Sequence, residues 1–366
     1  MFSDELSGPA IRQELLAAAT MSPDDVAGVL RKSRLGPSDF SALISPSAAG
    51  HLEAMAQRAH ALTVQRFGRT MQFFVPLYIS NYCYNQCTYC GFSVGNRYPR
   101  RVLSDSEIIS EAQLLRDRGF DQIVVLTGEA EDKAGTEYIA HAIRLLSPLF
   151  ASISIEVQPM SQSDYSRVIE AGADGLVLFQ ETYDSEAYAS YHLAGKKRHF
   201  SKRLDAVEAG ASAGFYKLTL GALLGLTDWR FDAMALSHHL VYMQRHFWTL
   251  QYGISFPRIK DMVGDFQVNY PISDRELVQF IVAFRLCFPD ISITMSTRES
   301  AQLRDKLLPL GVTHISAESN TAPGGYGGTS TEPQFEISDH RSLPEMISVV
   351  KHHGYEPVMR DWVKLV

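Results

Sequence analysis

The chain has few cysteines and no long hydrophobic run. Only four cysteines occur in 366 residues, and the segment Met1–Glu5 has neither the basic residues nor the apolar core of a signal peptide. A disulfide framework is therefore not expected. No apolar run approaches the roughly 20 residues that span a bilayer, so we expect no membrane partner. We expect the protein in the cytoplasm, where thiols stay reduced.

Positive charge is also scarce. The chain contains 34 Lys and Arg against 41 Asp and Glu, which gives a formal net charge of −7 and argues against binding to nucleic acid. Charged residues make up 20% of the chain and hydrophobic residues 45%, as in an ordinary protein with a large core. This composition favours a small-molecule substrate.

Three of the four cysteines lie close together. Cys83, Cys87 and Cys90 follow the spacing C-x3-C-x2-C, with an aromatic residue before the third. Such thiolates can hold three irons of a four-iron cluster, which normally takes four ligands, so one iron stays open. Zinc is the less favoured alternative, because it needs a fourth ligand nearby and the next histidine is His141. Cys287, in an apolar helical run, is expected to be a buried core residue.

After Met71, short apolar runs alternate with longer amphipathic segments. This alternation is typical of parallel strands joined by crossover helices, and eight strands are the number that a closed (β/α)8 barrel needs. The predicted strands are Phe74–Ser80, Gln122–Thr127, Ser152–Gln158, Gly175–Gln180, Phe215–Leu220, Tyr252–Phe256, Ser292–Ser296 and His314–Ala317. The predicted helices are Asp105–Arg118, Glu137–Leu149, Ser163–Glu170, Lys202–Ala213, Asp232–His246, Asp274–Cys287 and Glu299–Leu307. Several helices are followed by a glycine that fits a left-handed helix end, at Gly119, Gly172, Gly214 and Gly311.

The pattern divides the chain into three parts. Residues 1–70 are predicted to form a helical extension, 71–319 the α/β barrel, and 320–366 a C-terminal loop and closing helix. The glycine-rich run Pro323–Gly328 is expected to be a flexible crossing loop, since it lacks the Gly-Lys-Ser/Thr ending of a phosphate-binding loop. The closing helix is predicted near Pro344–His352.

Polar residues follow seven of the eight predicted strands. In a (β/α)8 barrel the carboxyl ends of all the strands open on one face, where reactive groups lie. A single glutamate at such a place is as readily a helix cap, but seven ends aimed at one mouth favour a site. The polar ends are the cysteine loop, Thr127–Glu129, Glu156–Gln158, Gln180–Glu181, Pro257–Arg258, Ser296–Glu299 and Ser316–Ser319.

These motifs carry a resemblance to a known family. S-adenosylmethionine (SAM) needs a carboxylate for its amino group and a guanidinium for its carboxylate. The chain resembles the radical SAM superfamily and, within it, the tyrosine lyases of thiamine biosynthesis, the 2-iminoacetate synthases. The resemblance runs nearly end to end. Its blocks are Tyr78–Ser93, Thr127–Glu129, Glu156–Pro159, Gln180–Tyr183, Gly195–Lys197, Leu220–Leu223, Ser255–Arg258, Ser296–Ser300, Pro323–Tyr326 and Asp361–Trp362.

The resemblance implies two cofactors, a 4Fe–4S cluster held by the three cysteines and SAM bound beside it. It implies that Tyr89 lies beside the adenine and that Glu129 takes the SAM amino group. Glu156 would contact the ribose or the methionine part, and Arg203 would pair with the SAM carboxylate. Arg203 also has a simpler interpretation, as a surface residue of a helix.

The resemblance further implies a reaction and its partners. Reductive cleavage of SAM would give methionine and a 5′-deoxyadenosyl radical, which would lead to cleavage of the L-tyrosine Cα–Cβ bond into 2-iminoacetate and p-cresol. A tyrosine carboxylate needs a clamp, for which Arg298 is the first candidate, because a guanidinium grips a carboxylate with two hydrogen bonds. Arg258 is the reserve candidate, and Ser296 and Ser316 would orient the same group. Thiazole synthase would receive the product, and a flavodoxin or ferredoxin would supply the electron.

Three other functions are supported to different degrees. A tyrosine-cleaving hydrogenase maturase would carry a second cysteine cluster in a C-terminal extension, and the lack of a cysteine after Cys287 argues strongly against it. A tryptophan lyase shares the barrel, and one sequence does not identify the side-chain pocket. A non-catalytic iron–sulfur assembly protein would need the cysteines but not Glu129, Glu156 and Arg203, so it is disfavoured.

Overall fold

Eight parallel strands close into a barrel, as predicted. The computed structural model describes residues 1–259, 266–328 and 331–361. Neighbouring strands of the barrel follow chain order, and the last strand pairs back with the first, where Gln72 lies opposite His314. We number these strands β1 to β8. Their bounds are Thr70–Ser80, Gln122–Thr127, Ser152–Glu156, Gly175–Glu181, Lys217–Ala222, Gln251–Ser255, Ser292–Met295 and His314–Ser316.

Two strands differ most from their predicted bounds. β1 begins at Thr70 rather than Phe74, because its first residues also pair with a short parallel strand, Glu356–Val358, which no local pattern predicts. β5 covers Lys217–Ala222 rather than Phe215–Leu220. Its end pairs with β4, although glycine at 221 is a weak strand former by itself. Tertiary pairing therefore decided both bounds.

Helices surround the barrel, close to their predicted positions. The four glycines at 119, 172, 214 and 311 all have φ between +104° and +122°, which confirms the predicted left-handed helix ends. No helix among the described residues is long and apolar enough to span a membrane. The α-helices between β1 and β8 are Asp105–Asp117, Glu131–Ala134, Thr136–Leu146, Gln162–Glu170, Ser185–Tyr191, Phe200–Ala213, Trp229–His246, Asp274–Cys287 and Ala301–Leu307.

The N-terminal part is helical, as predicted, and packs on the outside of the barrel. The Phe40 ring lies 4.6 Å from the Phe284 ring on the crossover helix before β7. The Phe2 ring stacks on His239 at 4.3 Å. The helices of this part are Phe2–Glu5, Gly8–Ala19, Pro23–Leu30, Phe40–Ile44 and Leu52–Phe67; the domain divisions at residues 70 and 319 stay predictions.

The glycine-rich run after β8 is held against the barrel by specific contacts. The hydroxyl of Tyr326 donates to the Pro76 carbonyl at 2.6 Å. The backbone N–H groups of Tyr326 and Gly327 donate to the Glu111 carboxylate at 3.0 and 2.6 Å. This anchoring was not expected of a flexible crossing loop. The closing helix follows at Leu343–His352, and Trp362 lies outside the described residues.

Side chains do not fill the barrel interior. A cavity of about 450 Å³ runs through it, lined by Cys90, Glu156 and Arg298 at the mouth and by Gln72 and Lys217 near the opposite end. Most barrels of this type have a packed interior, whereas a cavity of a few hundred Å³ is the usual size for a small-molecule site. The strand ends therefore open onto space that can hold a ligand.

Candidate active site

The three clustered cysteines lie in the loop that follows β1. The short strand Gln86–Cys87 pairs antiparallel with His192–Ala194, which brings a distant part of the chain against the loop. The loop also lies directly on the end of β2, since a Cβ at Gly128 would come within 2.2 Å of the Tyr82 carbonyl oxygen. All three cysteines are free thiols in this arrangement. Backbone contacts on two sides thus define the shape of the loop.

The surroundings of these thiols fit a cluster ligand set. Burial raises the pKa of Cys83, Cys87 and Cys90, so the thiols are poor free nucleophiles, whereas a bound metal deprotonates its thiol ligands. Among the described residues, no three His, Cys, Asp or Glu side chains surround a single metal-ion position. A cubane cluster differs from a single ion because each cysteine binds a separate iron. Cys287 is buried in the core, where Asp39 and Arg58 are near.

Asn85, between the first two cysteines, connects the loop to three other segments. Its Nδ2 donates to Glu129 at 2.7 Å, and its Oδ1 accepts from the Lys197 backbone N–H at 2.9 Å. Its carbonyl accepts from the Val94 N–H at 2.9 Å. Asn85 is 1% exposed. Sequence reasoning did not select this residue, although its place inside the cysteine motif is a usable signal.

Glu129 and Arg203 lie together beside the cysteine loop. Arg203 Nη1 donates to Glu129 Oε1 at 2.7 Å, and Arg203 Nε donates to the Phe179 carbonyl at 2.5 Å. Burial opposes ionisation of Glu129, but Arg203 and Lys197 outweigh it and lower the pKa of this carboxyl. Arg203 is 6% exposed, so it is not the surface helix residue of the simpler interpretation. The two predicted SAM contacts therefore form one charged unit.

Two further charged residues belong to this unit and were missed. Lys197 Nζ donates to Glu181 Oε1 at 2.7 Å, and Arg203 approaches the same oxygen at 3.9 Å. Glu181 has φ +71°, a left-handed conformation that is uncommon outside glycine and often marks a site. The motifs Gln180–Glu181 and Gly195–Lys197 were visible, but nothing local showed that they meet.

Glu156 lies in the cavity without a hydrogen-bond partner for its carboxylate in the part of the chain that the structure describes. Burial, together with the nearby carboxylate of Glu181, raises the pKa of Glu156 to about 7. Arg298 and Lys197 act in the opposite direction without cancelling this effect. The carboxyl group therefore changes charge near neutral pH and is available to a ligand.

Arg298 differs from Arg203 and Arg258, the buried arginines at the mouth. Its guanidinium lies over the Phe335 ring, 3.4 Å from the ring centre, and forms no ion pair with the described residues. Burial lowers the pKa of Arg298; an arginine nonetheless stays charged in proteins. Ser296 Oγ accepts the Arg298 backbone N–H at 3.4 Å, and Ser296 and Ser316 line the same cavity.

Arg258, the reserve clamp, is already occupied. It donates to Glu299 at 2.8 and 2.5 Å, to Asp274 at 2.8 Å and to the Ile272 carbonyl at 2.7 Å. Every nitrogen of its guanidinium thus has an acceptor within the protein. The geometry favours Arg298 over Arg258 as a group that can receive a substrate carboxylate.

Tyr89 lies beside the third cysteine and lines the cavity. Its hydroxyl bonds to His192 Nε2 at 2.7 Å. Burial lowers the pKa of His192 to about 3, so the imidazole is neutral. Its Nδ1 donates to the Tyr188 carbonyl at 2.8 Å, and its Nε2 therefore accepts the hydrogen bond from the Tyr89 hydroxyl. The Tyr89 ring is therefore held at a set angle at the edge of the site.

SAM affinity is expected to depend on pH through Glu156. A carboxylate accepts hydrogen bonds from ribose hydroxyls better than a neutral carboxyl, so affinity should rise as pH increases through about 7. Between one pH unit below and one above this pKa, the ionised fraction changes by about tenfold. Titration calorimetry of the cluster-loaded protein across this range measures the effect. Glu156→Gln should flatten the profile; an equally steep profile in that variant would contradict the role.

Known proteins share this arrangement of barrel and cysteine loop. Residues 77–237 match the model of the radical SAM superfamily, and residues 255–356 match that of the biotin and thiamin synthesis associated domain. The barrel and the three-cysteine loop thus define a radical SAM enzyme, a class whose cofactors are a 4Fe–4S cluster and SAM.

Two relatives and one solved structure narrow this class. The chain is 42% identical over 340 residues to the 2-iminoacetate synthase of Escherichia coli K12, covering 92% of this chain and 90% of the relative. It is 27% identical to the 3-methylornithine synthase of Methanosarcina acetivorans, over 50% of this chain and 53% of that one. The FeFe-hydrogenase maturase of Carboxydothermus hydrogenoformans superposes with a TM-score of 0.88 at 29% identity, covering 96% of this chain and 84% of the maturase. The chain belongs to the 2-iminoacetate synthase family.

Proposed function

We propose that this chain cleaves the Cα–Cβ bond of L-tyrosine, giving 2-iminoacetate and p-cresol, with SAM consumed to methionine and 5′-deoxyadenosine. The observation that carries an amino-acid substrate is Arg298, a half-buried guanidinium in the cavity that forms no ion pair with a described carboxylate. The choice of tyrosine is supported by the 42% identity to a 2-iminoacetate synthase. A buried charge is costly unless it is paired. A substrate carboxylate at this position would supply the partner that the protein does not.

Cys83, Cys87 and Cys90 would hold the cluster, and the charged unit beside them would hold SAM. When bound and reduced, the cluster and SAM supply a 5′-deoxyadenosyl radical that takes a hydrogen from the substrate. Glu129 would accept hydrogen bonds from the SAM amino group, and Arg203 would bind the SAM carboxylate. Both residues are already held by hydrogen bonds, Glu129 by the Asn85 amide and Arg203 by the Phe179 carbonyl. They therefore need little rearrangement to receive an amino acid.

The remaining cavity residues orient the substrate. Arg298 would bind the tyrosine carboxylate with two parallel hydrogen bonds, and Ser296 and Ser316 lie at the ends of the adjacent strands β7 and β8. The walls contributed by Phe335 and Tyr89 limit access of water, which protects a hydrolysable imine and a radical. The oxygen-sensitive cluster suits a cytoplasmic location.

A tryptophan lyase remains the second candidate, because it would use the same carboxylate clamp. Anaerobic incubation of cluster-loaded protein with SAM, dithionite and each aromatic amino acid separates the two functions. Mass spectrometry should find p-cresol from tyrosine, and no indole product from tryptophan. The opposite product pattern would identify tryptophan, and not tyrosine, as the substrate.

The electron donor is proposed to dock on a basic face beside the cysteine loop. The segments 81–104 and 192–203 contain three and five Lys or Arg residues and no Asp or Glu, in a chain of net charge −7. Asn85 connects the two segments, because its carbonyl accepts the Val94 N–H and its side chain accepts the Lys197 N–H. Val94 and Leu193 are 48% and 51% exposed, and the side chains of Arg97, Lys196 and Arg198 are exposed on the same segments. Lys196 pairs with Glu131 at 2.6 Å, whereas Arg97 and Arg198 form no ion pair with described residues. An apolar centre with a positive rim fits an acidic carrier such as a flavodoxin or ferredoxin.

Charge reversal tests this docking face. Arg97→Glu combined with Arg198→Glu should slow cluster reduction by a flavodoxin at least tenfold at low salt, because opposed charges accelerate encounter. Reduction by dithionite should stay as in the parent. Arg144→Glu, on the exposed side of a crossover helix, is the matched control and should leave both rates unchanged. If the double variant slows cluster reduction by dithionite as much as by flavodoxin, or does not slow reduction by flavodoxin, this face is not the docking site of the electron donor. Thiazole synthase remains the proposed consumer of 2-iminoacetate.

A further inference from the structure

A segment near the C-terminus, residues 331–335, lies directly on the cysteine loop. The Gly91 N–H donates to the Gln334 carbonyl at 2.9 Å. A Cβ at Gly91 would lie 2.5 Å from the carbonyl oxygens of both Pro333 and Gln334, so only glycine allows this approach. Asn81 Nδ2 also donates to Thr331 Oγ1 at 3.0 Å. The segment is therefore packed against the loop over several residues.

The Gln334 side chain reaches the third cysteine. Its Nε2 lies 3.8 Å from the Cys90 sulfur, and its Oε1 accepts from the Tyr78 hydroxyl at 2.6 Å. Sulfur is large and diffuse, so its hydrogen bonds are longer than those to oxygen. The Gln334 amide therefore contacts both the Tyr78 hydroxyl and Cys90, a proposed cluster ligand.

The chemistry of these groups selects the orientation of the amide. A thiolate accepts hydrogen bonds and repels an amide oxygen, so the NH2 group must face Cys90. The Tyr78 hydroxyl then donates to the amide oxygen, which polarises the amide and strengthens its N–H donor. Burial raises the pKa of Tyr78, consistent with a neutral phenol that can donate. Tyr78, Gln334 and Cys90 form one directed chain of hydrogen bonds.

We propose that Gln334 tunes the reduction potential of the cluster. Its side-chain N–H donates to Cys90 and thereby stabilises the reduced state of the cluster, which is the more negative one. This inference rests on the proposed cluster at the three cysteines. Hydrogen bonds to cluster sulfurs are one of the means by which proteins set reduction potentials. The reduced cluster carries one more electron, so a donor at a ligand sulfur favours it and makes the electron easier to accept.

The same segment also reaches the proposed substrate clamp. Phe335, the next residue, places its ring under the Arg298 guanidinium, and its carbonyl accepts from Thr321 Oγ1 at 2.8 Å. The segment therefore contacts a cluster ligand through Gln334 and the clamp through Phe335. Two consecutive residues of one segment therefore contact both the proposed cluster site and the proposed substrate clamp.

The test is the reduction potential of the cluster in the full chain, measured by EPR-monitored titration without SAM. Gln334→Glu replaces the donor by an anion, so we expect at least a tenfold lower ratio of reduced to oxidised cluster at a given potential, equivalent to 59 mV for one electron. Gln334→Met removes the donor without adding charge and should shift the potential less, in the same direction. Tyr78→Phe removes the hydroxyl that donates to the Gln334 amide, and it should also lower the reduction potential, by a smaller amount.

A matched control and the iron content separate this effect from misfolding. Gln65→Glu makes the same chemical change on an exposed helix residue and should leave the potential at the parent value. Each variant should keep the iron content of the parent. If Gln334→Glu and Gln334→Met hold full clusters at the parent potential, the tuning role is wrong. A parent protein that assembles no cluster would instead overturn the underlying cofactor site.

Discussion

Cys87→Ala is expected to abolish SAM cleavage and to lower the iron content of the reconstituted protein. Cys87 lies on the short strand that pairs with residues 192–194, and its thiol is buried. Loss of one of three ligands also removes the site-differentiated geometry that leaves one iron open for SAM. Iron analysis and 5′-deoxyadenosine formation under dithionite measure the two effects.

Cys287→Ala provides the matched control for this change. It removes the same thiol from a helix in the core, where the raised pKa keeps it inert. A small loss of stability from the smaller side chain is expected, on the order of 1 kcal/mol, with iron content and SAM cleavage unchanged. Normal turnover in Cys87→Ala, or loss of iron in Cys287→Ala, would contradict the assignment of the cluster ligands.

Arg298→Lys is expected to separate SAM cleavage from tyrosine cleavage. Lysine keeps the positive charge but loses the planar pair of donors and the stacking on Phe335. A radical takes whichever hydrogen lies near it, so orientation of the substrate determines the product. A misplacement of about an ångström can cost about a hundredfold in rate. We therefore expect p-cresol to fall by about that factor, with a much smaller loss of 5′-deoxyadenosine.

The measurement is the ratio of 5′-deoxyadenosine to p-cresol, together with tyrosine affinity. Arg144→Lys makes the same change at an exposed position of a crossover helix and should alter neither quantity. An unchanged ratio and unchanged tyrosine affinity in Arg298→Lys would show that the clamp lies elsewhere in the cavity. Arg258 would be a poor replacement, because Glu299 and Asp274 already occupy its donors.

Several site residues were predictable because of a general property of parallel barrels. All strands point the same way, so residues after different strands share one face. Glu129 follows β2, Glu156 ends β3 and Arg298 follows β7, and the structure brings the three to one end of the barrel. The strand pattern placed all three among the polar strand ends, and the family resemblance then assigned Glu129 and Glu156 to SAM.

Other residues were not predictable from local patterns. Lys197 enters the site because His192–Ala194 pairs with the cysteine loop, a contact between segments about a hundred residues apart. Gln334 approaches Cys90 from even farther along the chain. A glutamine in a loop carries no local signal for such a role, since its partners are chosen by how the C-terminal segment packs.

The sequence by itself determined the fold class, the cluster motif and the set of strand-end carboxylates, because periodicity and short spacing are properties of neighbouring residues. Only the tertiary structure decided which charges neutralise one another. Arg258 and Arg298 both follow a barrel strand, and nothing adjacent to them in the chain distinguishes them. In the structure Glu299 pairs with Arg258, whereas Arg298 lies over the Phe335 ring. An ion pair between distant segments depends on three-dimensional distances, and a local sequence pattern does not contain them.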